Sequence, residues 1–137
     1  VTYRWTADAG ALHGRFAAAL SWDRLPRVRI AYSYPGADGT GVRALAGDGA
    51  IGLVVASLGP GNLSAAQEEA VRTVVDRGLS VVLSSRTMAG SVPVREPGDG
   101  VIGAGSLNPQ KARVLLSLSL TETEDPVELA ELFSRAR

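Results

Sequence analysis

The sequence contains no cysteine and a single histidine, His13. Without cysteine the chain has neither a disulfide framework nor a thiolate metal site. One histidine falls short of the ligand sets that hold zinc or iron in proteins. We therefore expect no metal centre in this chain, and no sequence motif indicates another cofactor.

An excess of charge of one sign is also missing, since Lys+Arg and Asp+Glu each number 14. A nucleic-acid surface needs surplus cations and an anionic membrane attracts basic segments, so the balance argues against both partners. No apolar run approaches the ~18 residues of a membrane-spanning helix. The chain begins at Val1 without a signal-peptide pattern. We take it as a piece of a longer protein, which leaves the compartment undetermined.

The 137 residues allow one domain with one core, preceded by an irregular leader. Residues 1–26 mix glycine, alanine and polar residues without a sustained period. They predict a linker segment anchored by Trp5, Phe16 and Trp22. Residues 27–137 have regular periodicity and predict the domain itself.

Four short runs rich in β-branched residues predict strands, and two of them are apolar enough to be buried on both faces of a parallel sheet. The predicted strands are residues 27–32, 51–56, 80–84 and 101–104, and the predicted helices are 38–47, 64–77, 109–120 and 126–135. Residues 109–120 are apolar nearly all round, which predicts burial or an interface. The alternation of strands and helices indicates the α/β class. We expect a small three-layer α/β/α domain with a four-stranded parallel sheet, flavodoxin-like or Rossmann-like.

Residues 58–64 (LGPGNLS) form a glycine loop that follows a buried strand and opens a helix. Parallel sheets bind ligands at this position, and Asn62 presents an amide that both donates and accepts hydrogen bonds. A tight turn without a ligand is the commoner meaning of such a pattern. Nucleotide binding has weak support, because Ser64 stands where the dinucleotide motif G-x-G-x-x-G needs its third glycine.

Residues 86–100 form a long polar loop after another buried strand, and hence at the same edge of the sheet. Its charged residues, which suit either ligand binding or a solvated surface, are Arg86, Arg95, Glu96 and Asp99. Nucleophilic catalysis needs a hydroxyl or thiol beside a base, but His13 lies in the leader and no G-x-S-x-G motif occurs. A complete catalytic set is therefore not visible.

Five motifs stand in one order from residue 27 to the end of the chain. They are VRIAY with SY (28–34), GLVV leading to GPGNL (52–63), VVLSSR (81–86), LNPQKARVLL (107–116) and LTETEDP (120–126). Together they resemble the C-terminal domain of the bacterial L-asparaginases. The LNPQKAR helix start is the most specific motif, and the pattern is closer to the secreted, high-affinity type.

The resemblance implies the substrate-binding and subunit-interface half of an enzyme that hydrolyses L-asparagine to L-aspartate and ammonia. In that family the threonine nucleophile lies on the N-terminal domain, so we expect no catalytic residue here and an inactive isolated chain. The C-terminal domain lends residues to a neighbouring subunit's site, and by resemblance these are Asn62 and Glu96. The implied partners are an N-terminal asparaginase domain, L-asparagine and further copies, as a tetramer in the intact enzyme.

Two other functions stay open at this point. One is a stand-alone flavodoxin-like module that binds a nucleotide or a small molecule. The other is the matching domain of a tRNA-dependent amidotransferase subunit. The balanced charge does not favour the RNA-facing surface that this second function needs.

Overall fold

The structure, a computed structural model, describes residues 12, 14–16, 25–87, 90–93, 95 and 100–136. Four parallel strands form one sheet in sequence order: β1 (Val28–Tyr32), β2 (Gly52–Ser57), β3 (Ser80–Ser85) and β4 (Val101–Gly103). The helices are α1 (Thr40–Gly47), α2 (Ala65–Val75), α3 (Pro109–Ser119) and α4 (Pro126–Arg135). The predicted α/β domain with four parallel strands is confirmed.

The sheet separates two hydrophobic cores, because successive residues of a strand point to opposite faces. Leu53 and Val55 join the core on the side of α1 and α2. Val54, between them, joins the core on the side of α3 and α4. Every residue of β2 is buried, which explains why this strand reads as a continuous apolar run.

Side chains cap three of the four helices. The hydroxyl of Ser64 accepts a hydrogen bond from the backbone N–H of Gln67, and the side chain of Asn108 accepts one from Lys111. The carboxylate of Asp125 caps α4 in the same way. Each cap satisfies backbone donors that the first helical turn leaves unpaired.

The link from β3 to β4 differs from the other two crossovers, since the described residues between these strands form no helix. Val92 and Gly105 instead exchange two backbone hydrogen bonds, each 2.9 Å long. This bridge holds the loop across the end of the short strand β4. The strands lie in the sheet in the same order as in the sequence, so the sheet has no point at which the strand order reverses and opens a crevice. A ligand at the ends of the strands would therefore contact the loops themselves.

Helix α3 is only partly buried, although its sequence is apolar nearly all round. Leu116 is fully buried against the sheet, whereas Val114 is 43% exposed. Leu12 and Phe16, from the leader, pack beside this helix and against the same core. Trp5 and Trp22, the other two predicted anchors, lie outside the described residues. Among the described residues, no helix is long and apolar enough to cross a membrane.

We expect Leu115→Ala to destabilise the domain by about 2–5 kcal/mol, because it removes a buried side chain from the core beneath α3 and leaves a cavity. Leu115 is 8% exposed, and Val114, its neighbour on the helix, offers a matched control. Val114→Ala should change the free energy of unfolding by no more than about 0.5 kcal/mol. Urea unfolding of both variants measures the difference, and equal costs would contradict the packing of α3 described here.

Candidate functional site

All four strands run parallel, so the loops that follow them meet at one edge of the sheet, the C-terminal edge. The glycine loop follows β2 at this edge. The loop after β1 (33–39) lies on one side of it in the sheet order, and the loop that follows β3 lies on the other. The functional groups of the chain are expected here.

The glycine loop is a closed turn that holds Asn62 at the surface. Leu58 and Asn62 exchange backbone hydrogen bonds of 3.1 and 2.9 Å. Gly61 has a φ of 108°, and a Cβ at that position would lie 3.1 Å from Cγ1 of Val92. Glycine is therefore required both by the backbone conformation and by the close approach of the Val92 side chain. Asn62 itself is exposed.

A buried hydrogen-bond network fixes the start of α2 against the end of β1. The Ser33 hydroxyl donates to Oε1 of Gln67 over 2.6 Å, and Nε2 of Gln67 donates to the carbonyl of Tyr32 over 3.4 Å. The hydroxyl of Ser64 donates to the carbonyl of Ala37. Ser33 and Gln67 are 0% and 3% exposed, so these bonds form in a low-dielectric interior. The network ties the glycine loop to the loop after β1.

The role of Gln67 in this network was not predicted from the sequence. A signal was available, because Gln67 lies on the same helical face as Ala70, Val71 and Val74, all of them buried. A glutamine on a buried face needs partners for its amide. The partner, Ser33, is 34 residues away in sequence and could not be named without the fold.

A cavity of about 640 Å³ opens at the same edge, between the ends of β1 and β3 and the start of α3. Arg86 and Lys111 are the charged residues among its described lining, and Tyr32, Thr87 and Asn108 contribute polar groups. Two cations beside hydroxyl and amide groups suit an anionic ligand group such as a carboxylate. Arg86 was predicted as a loop charge, but its position beside Lys111 was not predicted from the sequence.

The loop after β1 carries a carboxylate with a shifted pKa. The Thr40 backbone N–H donates a 3.0 Å hydrogen bond to Asp38, which holds the pKa of that carboxyl below its ordinary value. Because the pKa of Asp38 is lowered in the folded state, its ionised carboxyl stabilises the fold at neutral pH. This stabilisation is lost as the pH falls through the lowered pKa. Asp38 therefore stays ionised beside the edge at physiological pH.

The two predicted site residues have different outcomes. Asn62 lies at the C-terminal edge, but Glu96 lies outside the described residues, as do His13 and Asp99. The pairing of Asn62 with Glu96 therefore stays a prediction. Arg95 is described and lines a cavity together with Gly61. In the described part of the chain, no cluster of three or more histidine or acidic residues could hold a metal ion.

The fold and this edge define an α/β domain with a glycine loop and a cationic cavity at the ends of its parallel strands. The chain belongs to the glutaminase/asparaginase C-terminal domain family, whose model matches residues 27–133. The family predicted from the sequence motifs is confirmed.

Known members of the family are similar over most of this chain. L-asparaginase 2 of Escherichia coli is 38% identical over 82% of this chain and 34% of its own length. L-asparaginase 2 of Bacillus subtilis is 40% identical over 82% of the chain and 30% of its own length. A solved structure, the probable cytoplasmic L-asparaginase of Campylobacter jejuni, has a TM-score of 0.78 and 43% identity over 83% of this chain and 38% of its own. The chain thus spans about a third of the length of the relatives it matches.

Proposed function

We propose that this chain is the C-terminal, substrate-binding half of an amidohydrolase that converts L-asparagine to L-aspartate and ammonia. The observation that carries the proposal is the glycine loop, which presents the Asn62 amide at the C-terminal edge of a domain in the asparaginase family. Positioning groups alone cannot perform covalent catalysis, so the nucleophile and its base belong to another domain.

The roles of the two site residues follow from the chemistry of the substrate. L-asparagine carries an α-ammonium, which a carboxylate binds by a charge-assisted hydrogen bond. We assign this role to Glu96 and assign orientation of the substrate to the Asn62 amide. Arg95, the residue before Glu96, lines the same cavity as Gly61, the residue before Asn62, which supports a common location.

The proposal extends to the partners of the chain. The edge would complete an active site together with an N-terminal asparaginase domain of a neighbouring subunit in a homo-oligomer, a tetramer. Tyr32 and Tyr34, next to this edge, are 52% and 54% exposed, and exposed tyrosines suit contact with another chain. In this arrangement residues 1–26 are the interdomain linker. The closer relation to the secreted, high-affinity type stays a prediction.

The test uses a hybrid enzyme in which residues 27–137 of this chain replace the C-terminal domain of E. coli L-asparaginase 2. In this hybrid, Glu96→Gln should lower kcat/KM for L-asparagine by about tenfold to 100-fold, the loss expected for one hydrogen bond to a charged group. The loss should be smaller for succinamate, which lacks the α-amino group. Steady-state ammonia release measures both.

Glu124→Gln serves as the control, since Glu124 is exposed in the segment between α3 and α4. It removes the same charge and should leave kcat/KM unchanged for both substrates. An equal loss for L-asparagine and succinamate in Glu96→Gln would show that Glu96 supports its loop and does not bind the α-ammonium.

A further inference from the structure

A second cleft, of about 330 Å³, lies on the flank of α2, away from the cationic cavity. Its floor is aliphatic and consists of Leu63, Val71, Leu83 and Val101. Val71 and Leu83 belong to the buried core on this side of the sheet, and Leu63 and Val101 pack against it. The volume lies at the lower end of the range of small-molecule pockets, about 300–1,000 Å³.

Charges of both signs surround this apolar floor. Glu68 and Arg72 lie one helical turn apart on α2 and both line the cleft, with Arg95 as a second guanidinium. The ion pairs found among the described residues involve other side chains, so neither Glu68 nor Arg72 is paired within the described part of the chain. An anionic and a cationic partner are thus both available to one ligand.

We propose that this cleft binds an α-amino acid with an apolar side chain. The α-carboxylate pairs with the Arg72 guanidinium, and Arg95 adds a second cation for it. The α-ammonium pairs with the carboxylate of Glu68. The side chain of the ligand packs chiefly on the half-buried Leu63 and Val101, because Val71 and Leu83 are only 4% and 1% exposed.

The cleft adjoins the site proposed for the amide substrate, since Gly61 and Arg95, which line it, precede Asn62 and Glu96 in the sequence. Asn62 is not among its described lining residues. The ligand contacts inferred here come mainly from Glu68 and Arg72 on α2, so the inference does not depend on the roles proposed for Asn62 and Glu96.

Calorimetry and amide NMR spectra of the full 137-residue chain test the proposal with four probes. L-leucine should bind saturably and shift the amide signals of Gly61, Val71 and Val101. Isocaproate lacks the ammonium and isoamylamine lacks the carboxylate, and each should bind about tenfold more weakly, as expected when one charge-assisted hydrogen bond is lost. L-asparagine should also bind more weakly, because it has no apolar side chain.

Matched variants on α2 and just beyond its C-terminal end locate the site. Arg72→Gln and Glu68→Gln should each weaken leucine binding about fivefold to tenfold. Arg77→Gln and Glu69→Gln remove the same charges from exposed residues that do not line the cleft, and should have no effect. Asn62→Ala should also leave leucine binding intact, which separates this proposal from the proposed function.

Three results would overturn the proposal. Equal binding of leucine and isocaproate would show that the cleft recognises only anions. Equal weakening by Arg72→Gln and Arg77→Gln would indicate general electrostatic attraction rather than a site. Leucine titrations without saturable shifts at the cleft would show that no such site exists.

Discussion

Purified on its own, the 137-residue chain is expected to release no ammonia from L-asparagine or L-glutamine. Amide hydrolysis by covalent catalysis needs an activated nucleophile, and the resemblance implies that the family's threonine nucleophile lies on the N-terminal domain. Binding groups without a nucleophile cannot supply the rate acceleration of an enzyme, about a millionfold or more. We therefore expect the isolated chain to lack all measurable asparaginase and glutaminase activity.

A coupled ammonia assay on highly purified chain measures this, with E. coli L-asparaginase 2 as the positive control. A trace signal that does not scale with chain concentration fits the expectation. Turnover comparable to the control would contradict it, provided that one substitution within the 137 residues abolishes the activity.

The largest stability effect is expected for Gly103→Ala in β4. A Cβ at this position would lie 1.7 Å from the carbonyl oxygen of Pro93 and 2.6 Å from its carbonyl carbon. The Pro93 backbone cannot retreat freely, because Val92, next to it, is held by two hydrogen bonds to Gly105. Relief of the clash requires breaking this bridge or displacing β4. We expect a loss of at least about 4 kcal/mol, or a chain that fails to fold.

Gly41→Ala is the matched control, since Gly41 lies within α1 and a Cβ there would meet no atom within 4 Å. Alanine in a helix interior is favoured over glycine by about 0.5–1 kcal/mol, so this variant should be slightly more stable than the parent. Thermal and urea unfolding compare the two. A Gly103→Ala variant as stable as the parent would mean that the loop after β3 does not cross β4 as described.

Much of the fold could be predicted from the sequence because its signals are local. Buried parallel strands appear as short apolar runs, and the caps Ser64, Asn108 and Asp125 mark the helix starts within one residue. The helix predicted at 38–47 begins later, at Thr40. The Asp38 carboxylate accepts a hydrogen bond from the backbone N–H of Thr40, so Asp38 belongs to the turn that precedes the helix. Local pattern does not resolve such a turn from a helix start.

The site was less predictable because its contacts are distant in sequence. The glycine loop could be identified from its position after a strand, and Asn62 with it. The hydrogen bond between Ser33 and Gln67, and the cavity shared by Arg86 and Lys111, join residues from separate elements. Which elements become neighbours depends on the strand order, and a single sequence does not encode that order in any local pattern.

The activity of the hybrid enzyme, with and without Asn62→Ala, tests most directly what this chain supplies to catalysis. If residues 27–137 provide the substrate-binding half of an asparaginase, the hybrid should hydrolyse L-asparagine. Asn62→Ala should then lower kcat/KM by about tenfold or more, because an amide that orients a charged substrate is lost. The melting temperature should stay unchanged, because Asn62 is exposed. A folded, active hybrid whose kcat/KM is unaffected by Asn62→Ala would contradict the assignment of the glycine loop to the substrate site.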